Sequence, residues 1–254
     1  MRVQHDSLLL LLSMIKILKR LLIGLIESRG YCVSFGEPAT FAGIISGFRN
    51  SKNNFFFVQI GACDGKKSDP IHDFVQQRHW RGIMVEPQPD MFVKLQQSYA
   101  GCPGLVFENV VIASENGVAP FYRLKDGYRH LFHDDPCLLS SLSPDHILRH
   151  LSKPVDAAQA LEVTQLPALT LHSLCAKYNV SKIDLLQIDA EGYDYEIIKM
   201  IDFSALKPSV IRFEHANLSP SHKIDGIELL LSHGYKLVVG RYDITAYQSQ
   251  WMFD

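Results

Sequence analysis

The chain has 254 residues, of which 47% are hydrophobic and 20% are charged, and its formal net charge is −2. A chain of this length and composition can bury one sizeable core, and the near-neutral charge excludes the broad basic surface of a nucleic-acid-binding protein. The five cysteines are odd in number and never in C-x-x-C spacing, so they argue against a zinc site or a disulfide scaffold and indicate buried thiols in a reducing cytoplasm.

Residues 1–30 are predicted to form an amphipathic helix that precedes the main domain. Apolar residues recur there at helical spacing: Ile15, Leu18, Leu22, Leu25 and Ile26. Basic residues interrupt the apolar stretch at 8–26, and each would cost about 2.5–3.5 kcal/mol at a bilayer centre, so a transmembrane span is not expected. We expect this helix to pack on the domain or on a second copy of the chain in a homo-oligomer. Peripheral membrane contact through residues 8–26 is the alternative, and Met14 offers a second initiation codon.

Residues 31–254 are predicted to form one α/β domain in which strands and helices alternate. Strands are predicted at 31–35, 55–60, 82–85, 105–110, 119–124, 161–166, 183–188, 210–213, 235–239 and 244–248. Helices are predicted at 41–48, 71–77, 90–99, 169–177, 193–200 and 224–232. This alternation indicates an open, mostly parallel sheet flanked by helices. Between residues 125 and 159 the periodicity fails, so we expect a long loop or lid there.

The strand predicted at 55–60 runs directly into two closely spaced glycines. Its apolar, aromatic and β-branched residues are typical of a strand that is buried on both faces. Gly61 and Gly65 follow in a G-x-x-x-G spacing, which lets the backbone turn tightly against a ligand. A dinucleotide fingerprint would need G-x-G-x-x-G, so a nicotinamide-dependent dehydrogenase is not favoured. A plain strand-to-helix joint is the alternative.

Acidic residues around this turn indicate which kind of cofactor it suits. Asp64 lies between the glycines, and Asp69 lies just beyond them. A fixed carboxylate would repel phosphate groups, but it would attract the sulfonium and ammonium groups of S-adenosylmethionine. Lys66 and Lys67 are the opposing signal, because lysines beside a glycine turn can hold phosphate. We interpret them as solvated residues at the start of the next helix.

A second acidic residue follows the strand predicted at 82–85. Glu86 comes about 20 positions after the glycine turn, at the tip of the adjacent strand, where an acid can accept hydrogen bonds from the ribose hydroxyls of an adenosine. The alternative is a Glu that caps the helix starting near Gln88. The glycine turn and the acid at the strand tip together favour a cofactor that carries a nucleoside.

Five motifs follow one another along the chain: VQIGACDG at 58–65, DPI at 69–71, VEPQP at 85–89, IDAEGYDYE at 188–196 and RFEH at 212–215. In letters, order and spacing they resemble FkbM-type methyltransferases, and the resemblance spans roughly residues 31–247. The Asp-x-Glu-Gly-x-Asp element makes it much more specific than a glycine turn alone. Cys63 is a departure, because the relatives usually carry Asn there, and any hydrogen bond from that Asn to the cofactor would be lost.

The resemblance implies a class I methyltransferase fold, which is Rossmann-like with a seven-stranded sheet, and S-adenosylmethionine as the cofactor. It also implies O-methylation, often of a sugar hydroxyl, so the expected acceptor is a glycan, a glycolipid or a related small metabolite. The cofactor would be bound by residues at and near the strand ends: Gly61, Ala62, Asp64, Gly65, Asp69, Glu86, Pro87 and Asn109.

The candidate catalytic residues also follow predicted strands: His215, Asp189 and Glu191. Methyl transfer to an alcohol needs positioning and a base for the hydroxyl proton, and His215 is the first choice because histidine titrates near neutral pH. The alternatives are that His215 only hydrogen-bonds a neighbouring loop and that Glu191 only caps the next helix. A divalent metal held by these three residues would lower the pKa of the hydroxyl. No metal is expected, because the resemblance does not point to one.

The 125–159 segment contains the candidates for acceptor binding. Serines occur near this position in FkbM relatives, so we expect Ser140 and Ser141 to contact the acceptor, together with Glu214 at a strand end. His146 and His150 have the i, i+4 spacing of two metal ligands, but a metal is not favoured there because cysteine partners are missing. The alternative to an enzyme is a non-catalytic cofactor-binding module that docks a partner or a membrane through the N-terminal helix.

Overall fold

The computed structural model describes residues 40–47, 55–67, 69–132 and 140–248. The helix predicted for residues 1–30 and the strand predicted at 31–35 lie outside the described residues. Within the part of the chain that is described, no helix combines the length and the apolar character needed to cross a bilayer.

The described residues contain eleven strands. In chain order they are β1 (Phe56–Ile60), β2 (Arg81–Val85), β3 (Leu105–Glu108), β4 (Val111–Ile112), β5 (Gly117–Leu124), β6 (Ser140–Ser141), β7 (Leu161–Leu169), β8 (Leu185–Ile188), β9 (Val210–Glu214), β10 (Lys236–Val239) and β11 (Asp243–Tyr247). Seven of them form the main sheet, in the order β10-β11-β9-β8-β1-β2-β3. The pairs from β9 to β3 are parallel, whereas β11 is antiparallel to both of its neighbours. The predicted open, mostly parallel seven-stranded sheet is confirmed.

Eight α-helices and one 3₁₀ helix accompany these strands in the same residues. The α-helices are α1 (Phe41–Gly47), α2 (His72–Arg78), α3 (Pro89–Ser98), α4 (Pro144–Arg149), α5 (Ala157–Ala160), α6 (Leu171–Lys177), α7 (Asp194–Lys199) and α8 (Pro220–Ser232), and the 3₁₀ helix is Asp126–Leu131. Outside the 125–159 segment, the predicted helices within the described residues occur within a few residues of their predicted bounds.

Both faces of the main sheet are buried, and successive residues of a strand enter different cores. Val58 and Leu186 pack in the core that α6, α7 and α8 cover. Phe57 and Leu185 pack in the opposite core, which α1, α2 and α3 cover. A strand with helices on both sides needs apolar residues on both of its faces, which explains the nearly continuous apolar runs in the sequence.

A second sheet of four strands, in the order β4-β7-β5-β6, does not follow from the sequence pattern. β5 and β7 pair antiparallel along their length, from Gly117 opposite Ala168 to Leu124 opposite Leu161. The sequence predicts only an added strand at 119–124 and a strand at 161–166. β4 and β6 have two residues each, too few to show the alternation by which a strand is recognised.

The prediction of a long loop at 125–159 is wrong for the described part of that segment. It contains the 3₁₀ helix, β6, α4 and α5, none of which exceeds six residues. Leu131, Ile147 and Leu151 pack with residues of β5 and β7 in a small core of their own. Elements this short show no clear periodicity, because their stability comes from such tertiary contacts.

The carboxyl ends of β1 and β8 come into close backbone contact at Gly61. The amide of Asp189 donates a hydrogen bond to the carbonyl oxygen of Ile60 at 2.9 Å, which continues the pairing of the two strands. Gly61 has φ of +77°, and a Cβ atom there would lie 1.8 Å from the carbonyl oxygen of Asp189. Only glycine meets both conditions. The turn after β1 therefore lies against the acidic residues that follow β8.

Gly61→Ala should lower the free energy of unfolding by at least about 2 kcal/mol, because the methyl group adds steric overlap to a strained φ. Gly101→Ala is the matched control, since a Cβ at Gly101 meets no atom within 4 Å, and it should change stability by less than about 0.5 kcal/mol. Urea denaturation measures both values. Equal stability of the two variants would contradict the close approach of β1 and β8.

Candidate functional site

A cavity of about 280 Å³ lies at the carboxyl ends of β1, β2 and β8, with walls from both sheets. This is the end of a parallel sheet at which ligands bind in open α/β folds. Nine of the predicted site residues line it: Gly61, Ala62, Asp69, Glu86, Pro87, Ser140, Ser141, Asp189 and Glu191. The other predicted site residues lie outside this lining: Asp64, Gly65, Asn109, Glu214 and His215.

The turn after β1 is held by hydrogen bonds of its own backbone. The amides of Gly61 and Ala62 both donate to the carbonyl oxygen of Val85, at 3.0 Å each. Oδ1 of Asp64 accepts from the amides of Lys66 and Lys67, at 3.0 and 2.8 Å. Asp64 therefore stabilises the turn from its outer side, and the backbone of Gly61 and Ala62 faces the cavity.

Glu86 is buried at the tip of β2, with 2% of its surface exposed. Its two carboxylate oxygens accept hydrogen bonds at 2.8 Å from the amides of Cys63 and Gln88. Burial raises its pKa to about 7 despite these donors. The side-chain amide of Asn109 donates from Nδ2 to the carbonyl oxygens of Glu86 and Pro87, at 2.8 and 3.0 Å. Asn109 therefore holds the strand tip, while Glu86 faces the cavity.

Cys63 has a left-handed φ of +46° within the turn and is disulfide-bonded. This corrects the expectation that the cysteines are all reduced, buried thiols. Cys175 is a buried free thiol, and Cys102 is a half-buried one. The contact of Cys63 with Glu86 comes from its backbone amide, so it does not depend on which side chain occupies the position.

Asp69 lines the cavity as an acid whose hydrogen bonds are made within the protein. Its carboxylate accepts from the Tyr99 hydroxyl at 2.8 Å, from the Ile71 amide at 2.9 Å and from Nε2 of Gln59 at 3.2 Å. Burial raises its pKa. Oε1 of Gln59 is buried at the cavity and has no hydrogen-bond partner among the described residues. The sequence analysis did not select Gln59; its position in the apolar strand β1 is the signal that could have found it.

Three carboxylates converge where β8 and β9 end. Asp189, Glu191 and Glu214 each have an oxygen within 4.8 Å of an oxygen of the other two. Burial and the nearby charges of Asp194 and Glu214 raise the pKa of Asp189 well above its usual range. Burial also raises the pKa of Glu214. We call these three residues the acid cluster.

Asp194 positions the acid cluster through hydrogen bonds to the backbone beside it. It is fully buried at the start of α7, and its carboxylate accepts from the amides of Glu214 at 3.1 Å and Ala190 at 3.3 Å. Burial raises its pKa to about 7. Asp194 therefore joins the end of β9 to the residue that follows Asp189. It is the last acid of the Asp-x-Glu-Gly-x-Asp element, but the sequence analysis gave it no role.

The second sheet contacts the acid cluster through its serines. The Ser141 hydroxyl donates to the carbonyl oxygen of Glu191 at 2.7 Å and accepts from the amide of Ser143 at 2.8 Å. The Ser140 hydroxyl is buried at the cavity and has no hydrogen-bond partner among the described residues. Ser140 is therefore the serine whose hydroxyl remains to contact a ligand.

Two further residues that the sequence did not assign to the site contact the acid cluster. Nδ2 of Asn217 donates to the carboxylates of Glu191 and Glu214. Nε2 of His146 lies 3.1 Å from Oε2 of Glu191. His146 is completely buried in α4, and this burial lowers its pKa to about 3, so its imidazole is neutral. The spacing of His146 and His150 was noted in the sequence, but not their distance from Glu191.

His215 is turned away from the cavity. Its backbone amide donates to the carbonyl oxygen of Tyr242 at 2.8 Å, and its Nε2 donates to that of Gly240 at 3.1 Å. Nδ1 is buried without a hydrogen-bond partner among the described residues. The ring therefore contacts the loop between β10 and β11, and the structure does not bring it together with the residues that line the cavity.

The order of the main sheet and a cavity walled by a glycine turn and a strand-tip acid define a class I methyltransferase. The chain belongs to the FkbM methyltransferase family, because the methyltransferase FkbM domain matches residues 59–237. It is an S-adenosylmethionine-dependent methyltransferase, as the sequence predicted.

The solved structures that match this chain have low sequence identity and low TM-scores. Precorrin-6y C5,15-methyltransferase from Geobacter metallireducens GS-15 is 12% identical, with a TM-score of 0.41 over 86% of this chain and 94% of that chain. A human methyltransferase 10 domain containing protein is 10% identical, with a TM-score of 0.38 over 91% and 95%. No curated protein sequence matches the chain. We draw nothing about the acceptor from these similarities.

The raised pKa of Glu86 predicts a pH-dependent stability. The folded state binds the Glu86 proton more tightly than the unfolded state, so this group stabilises the fold below pH 4.5. That contribution of about 3 kcal/mol is lost as the pH rises to about 7. Glu86→Gln should remove this part of the pH dependence in urea denaturation. Glu228→Gln, at an exposed position of α8, should keep the wild-type profile, and a Glu86→Gln profile like wild type would contradict the burial argument.

Proposed function

We propose that the protein transfers the methyl group of S-adenosylmethionine to a sugar hydroxyl of a glycan, a glycolipid or a related small metabolite. The observation that carries this proposal is the acid cluster, two members of which line the cofactor cavity beside the turn after β1. Carboxylates accept hydrogen bonds, and a sugar presents several neighbouring hydroxyl donors.

The cofactor assignment follows the lining of the cavity. We propose that Glu86 accepts hydrogen bonds from the ribose hydroxyls, and that the backbone of Gly61, Ala62 and Pro87 contacts the nucleoside. Asp69 and the acid cluster supply negative charge for the sulfonium and ammonium groups. In this proposal Asp64, Gly65 and Asn109 support the cofactor site indirectly, since they hold the turn and the strand tip.

The acceptor would lie on the side of the acid cluster that faces α4. A groove of about 640 Å³ adjoins the cluster there, and its lining includes Gly192 and Asn217. Five of its nine other lining residues are polar or charged: Ser143, Asp145, Arg149, Ser219 and His222. Such side chains can exchange hydrogen bonds with a polyhydroxyl compound. Ser140, Ser141 and Glu214 are proposed to contact the acceptor beside the acid cluster.

The reaction that we propose is an in-line displacement. The acceptor oxygen forms a bond with the methyl carbon, the carbon–sulfur bond breaks, and S-adenosylhomocysteine leaves with the electron pair on sulfur. The hydroxyl proton passes to Asp189, which lines the cavity and whose raised pKa suits a base. Glu191 would orient the hydroxyl. His215, the base favoured from sequence, is the rival assignment.

Turnover of an accepted sugar distinguishes the two bases. Asp189→Asn should lower the rate by about 10²–10⁴, the range for loss of a general base, whereas His215→Ala should retain most of it. The assay follows S-adenosylhomocysteine release and product mass over a panel of monosaccharides, oligosaccharides and glycolipids. Titration with S-adenosylhomocysteine checks that both variants still bind cofactor. A large loss in His215→Ala alone would reverse the assignment, and product from amines but not from sugars would overturn the proposed acceptor class.

We also propose a role for residues 1–30, which rests on their sequence pattern. The amphipathic helix would pack on the domain or on a second copy of the chain, and peripheral membrane contact through residues 8–26 is the rival. The near-neutral net charge supports a small or glycan acceptor and no nucleic-acid partner.

Deletion of the residues before Ser28 tests this role. We expect the oligomeric state, measured by sedimentation, or the solubility to change, because the deletion removes an apolar helix face. Affinity for S-adenosylhomocysteine should stay at the wild-type value. Loss of binding to anionic vesicles at unchanged oligomeric state would favour the membrane role, and loss of cofactor affinity in a folded variant would contradict both.

A further inference from the structure

The spacing of the acid cluster matches the coordination shell of a cation. Asp189 and Glu191 follow β8, and Glu214 ends the adjacent strand β9. Their nearest oxygens all lie within 4.8 Å of one another. A divalent cation contacts oxygen ligands at about 2.0–2.6 Å, so ligands across one ion are about 4–5 Å apart. One ion could therefore contact all three carboxylates without movement of the backbone.

The three carboxylates of the cluster lie close enough for their negative charges to repel one another. Arg212 is the cation whose charge acts on both Asp189 and Glu214. Its guanidinium is already paired with Asp243 at 2.6 Å. Asn217 donates to two of the carboxylates but is neutral. Because like charges at this spacing repel one another, an additional positive charge would stabilise the cluster.

The second observation is the imidazole of His146, which reaches the cluster from a different element, α4. It is completely buried, and neither ring nitrogen makes a hydrogen bond to the described residues. Nε2 points at the cluster from α4, 3.1 Å from Oε2 of Glu191. Buried polar groups are almost always satisfied, so this imidazole needs a ligand. Neighbouring ligands of an octahedral ion are also about 3 Å apart.

We infer that Asp189, Glu191, Glu214 and His146 form a binding site for one divalent cation of the Mg²⁺ or Mn²⁺ class. Carboxylates suit both ions, and a neutral imidazole is a common ligand for the second. This assignment replaces His215, which was considered as a ligand from sequence, with His146.

The cation would serve the proposed function, and this part of the inference rests on it. It would bind the acceptor hydroxyl next to the methyl donor and lower the pKa of that hydroxyl. Asp189 would contact the ion through one oxygen and accept a hydrogen bond from the acceptor hydroxyl on the other. Bond formation and cleavage are those of the displacement described above, and the ion is neither consumed nor changed in charge.

Titration of the chelator-treated full-length protein with Mn²⁺, followed by electron paramagnetic resonance, tests the site. We expect one bound equivalent. Glu191→Gln, Glu214→Gln and His146→Gln should each weaken binding at least about tenfold, in the range for altered metal-site shells. Glu228→Gln, an exposed acid of α8, is the control and should bind as wild type. Circular dichroism and S-adenosylhomocysteine affinity verify that each variant is folded.

Two results would overturn the inference. One is the absence of bound Mn²⁺ in folded wild-type protein, with and without S-adenosylhomocysteine. The other is binding that the folded variants leave unchanged. If the glutamine variants of the acids do not fold, the wild-type titration decides whether the site exists, and His146→Gln decides where it is. Sugar methylation in excess chelator would remove the cation's role and leave the proposed function intact. Mn²⁺ binding without sugar methylation would support the cation site and contradict the proposed function.

Discussion

The backbone contact between the carboxyl ends of β1 and β8 is the constraint on which the site depends. Gly61 lets the two strand ends approach until no side-chain atom fits between them, and the hydrogen bond from Asp189 to Ile60 maintains that approach. The turn beside the cofactor cavity and the carboxylates after β8 are thereby held together. An acidic, cation-attracting wall at this point is a consequence of strand geometry combined with the residues that follow each strand.

Burying several acids in one region costs free energy, and the fold offsets part of this cost with backbone donors. Glu86 accepts from two amides, and Asp194 accepts from the amides of Ala190 and Glu214. Even so, burial raises the pKa of both carboxyls to about 7. Groups held in this way keep a fixed geometry, which is what methyl transfer requires, because most of its catalysis is positioning. The same burial makes the charge of these acids depend on pH near neutrality.

Much of the main sheet and the cofactor side of the cavity could be predicted from sequence. Each strand between two helical layers is apolar at most positions, so 55–60 and 183–188 are recognisable without any tertiary information. Gly61, Glu86 and Asp189 were found because they directly follow such strands, and parallel strands end at the same edge of a sheet. The family motifs added the cofactor and the reaction. The acceptor side was harder to predict from sequence. Its walls come from β6 and α4, which are too short to show a recognisable hydrophobic periodicity.

The sequence by itself therefore determined the layered α/β architecture and the edge that carries the site, because these depend on local patterns and on residues next to strand ends. The resemblance of its motifs to the family supplied the methyl donor. Only the tertiary structure decided which side chains meet across the chain. It turned His215 towards Gly240, brought both His146 and Asn217 to Glu191, and folded β4 to β7 into a second sheet. Such contacts join elements that are distant in sequence, and their geometry depends on packing and hydrogen bonding that no local pattern records.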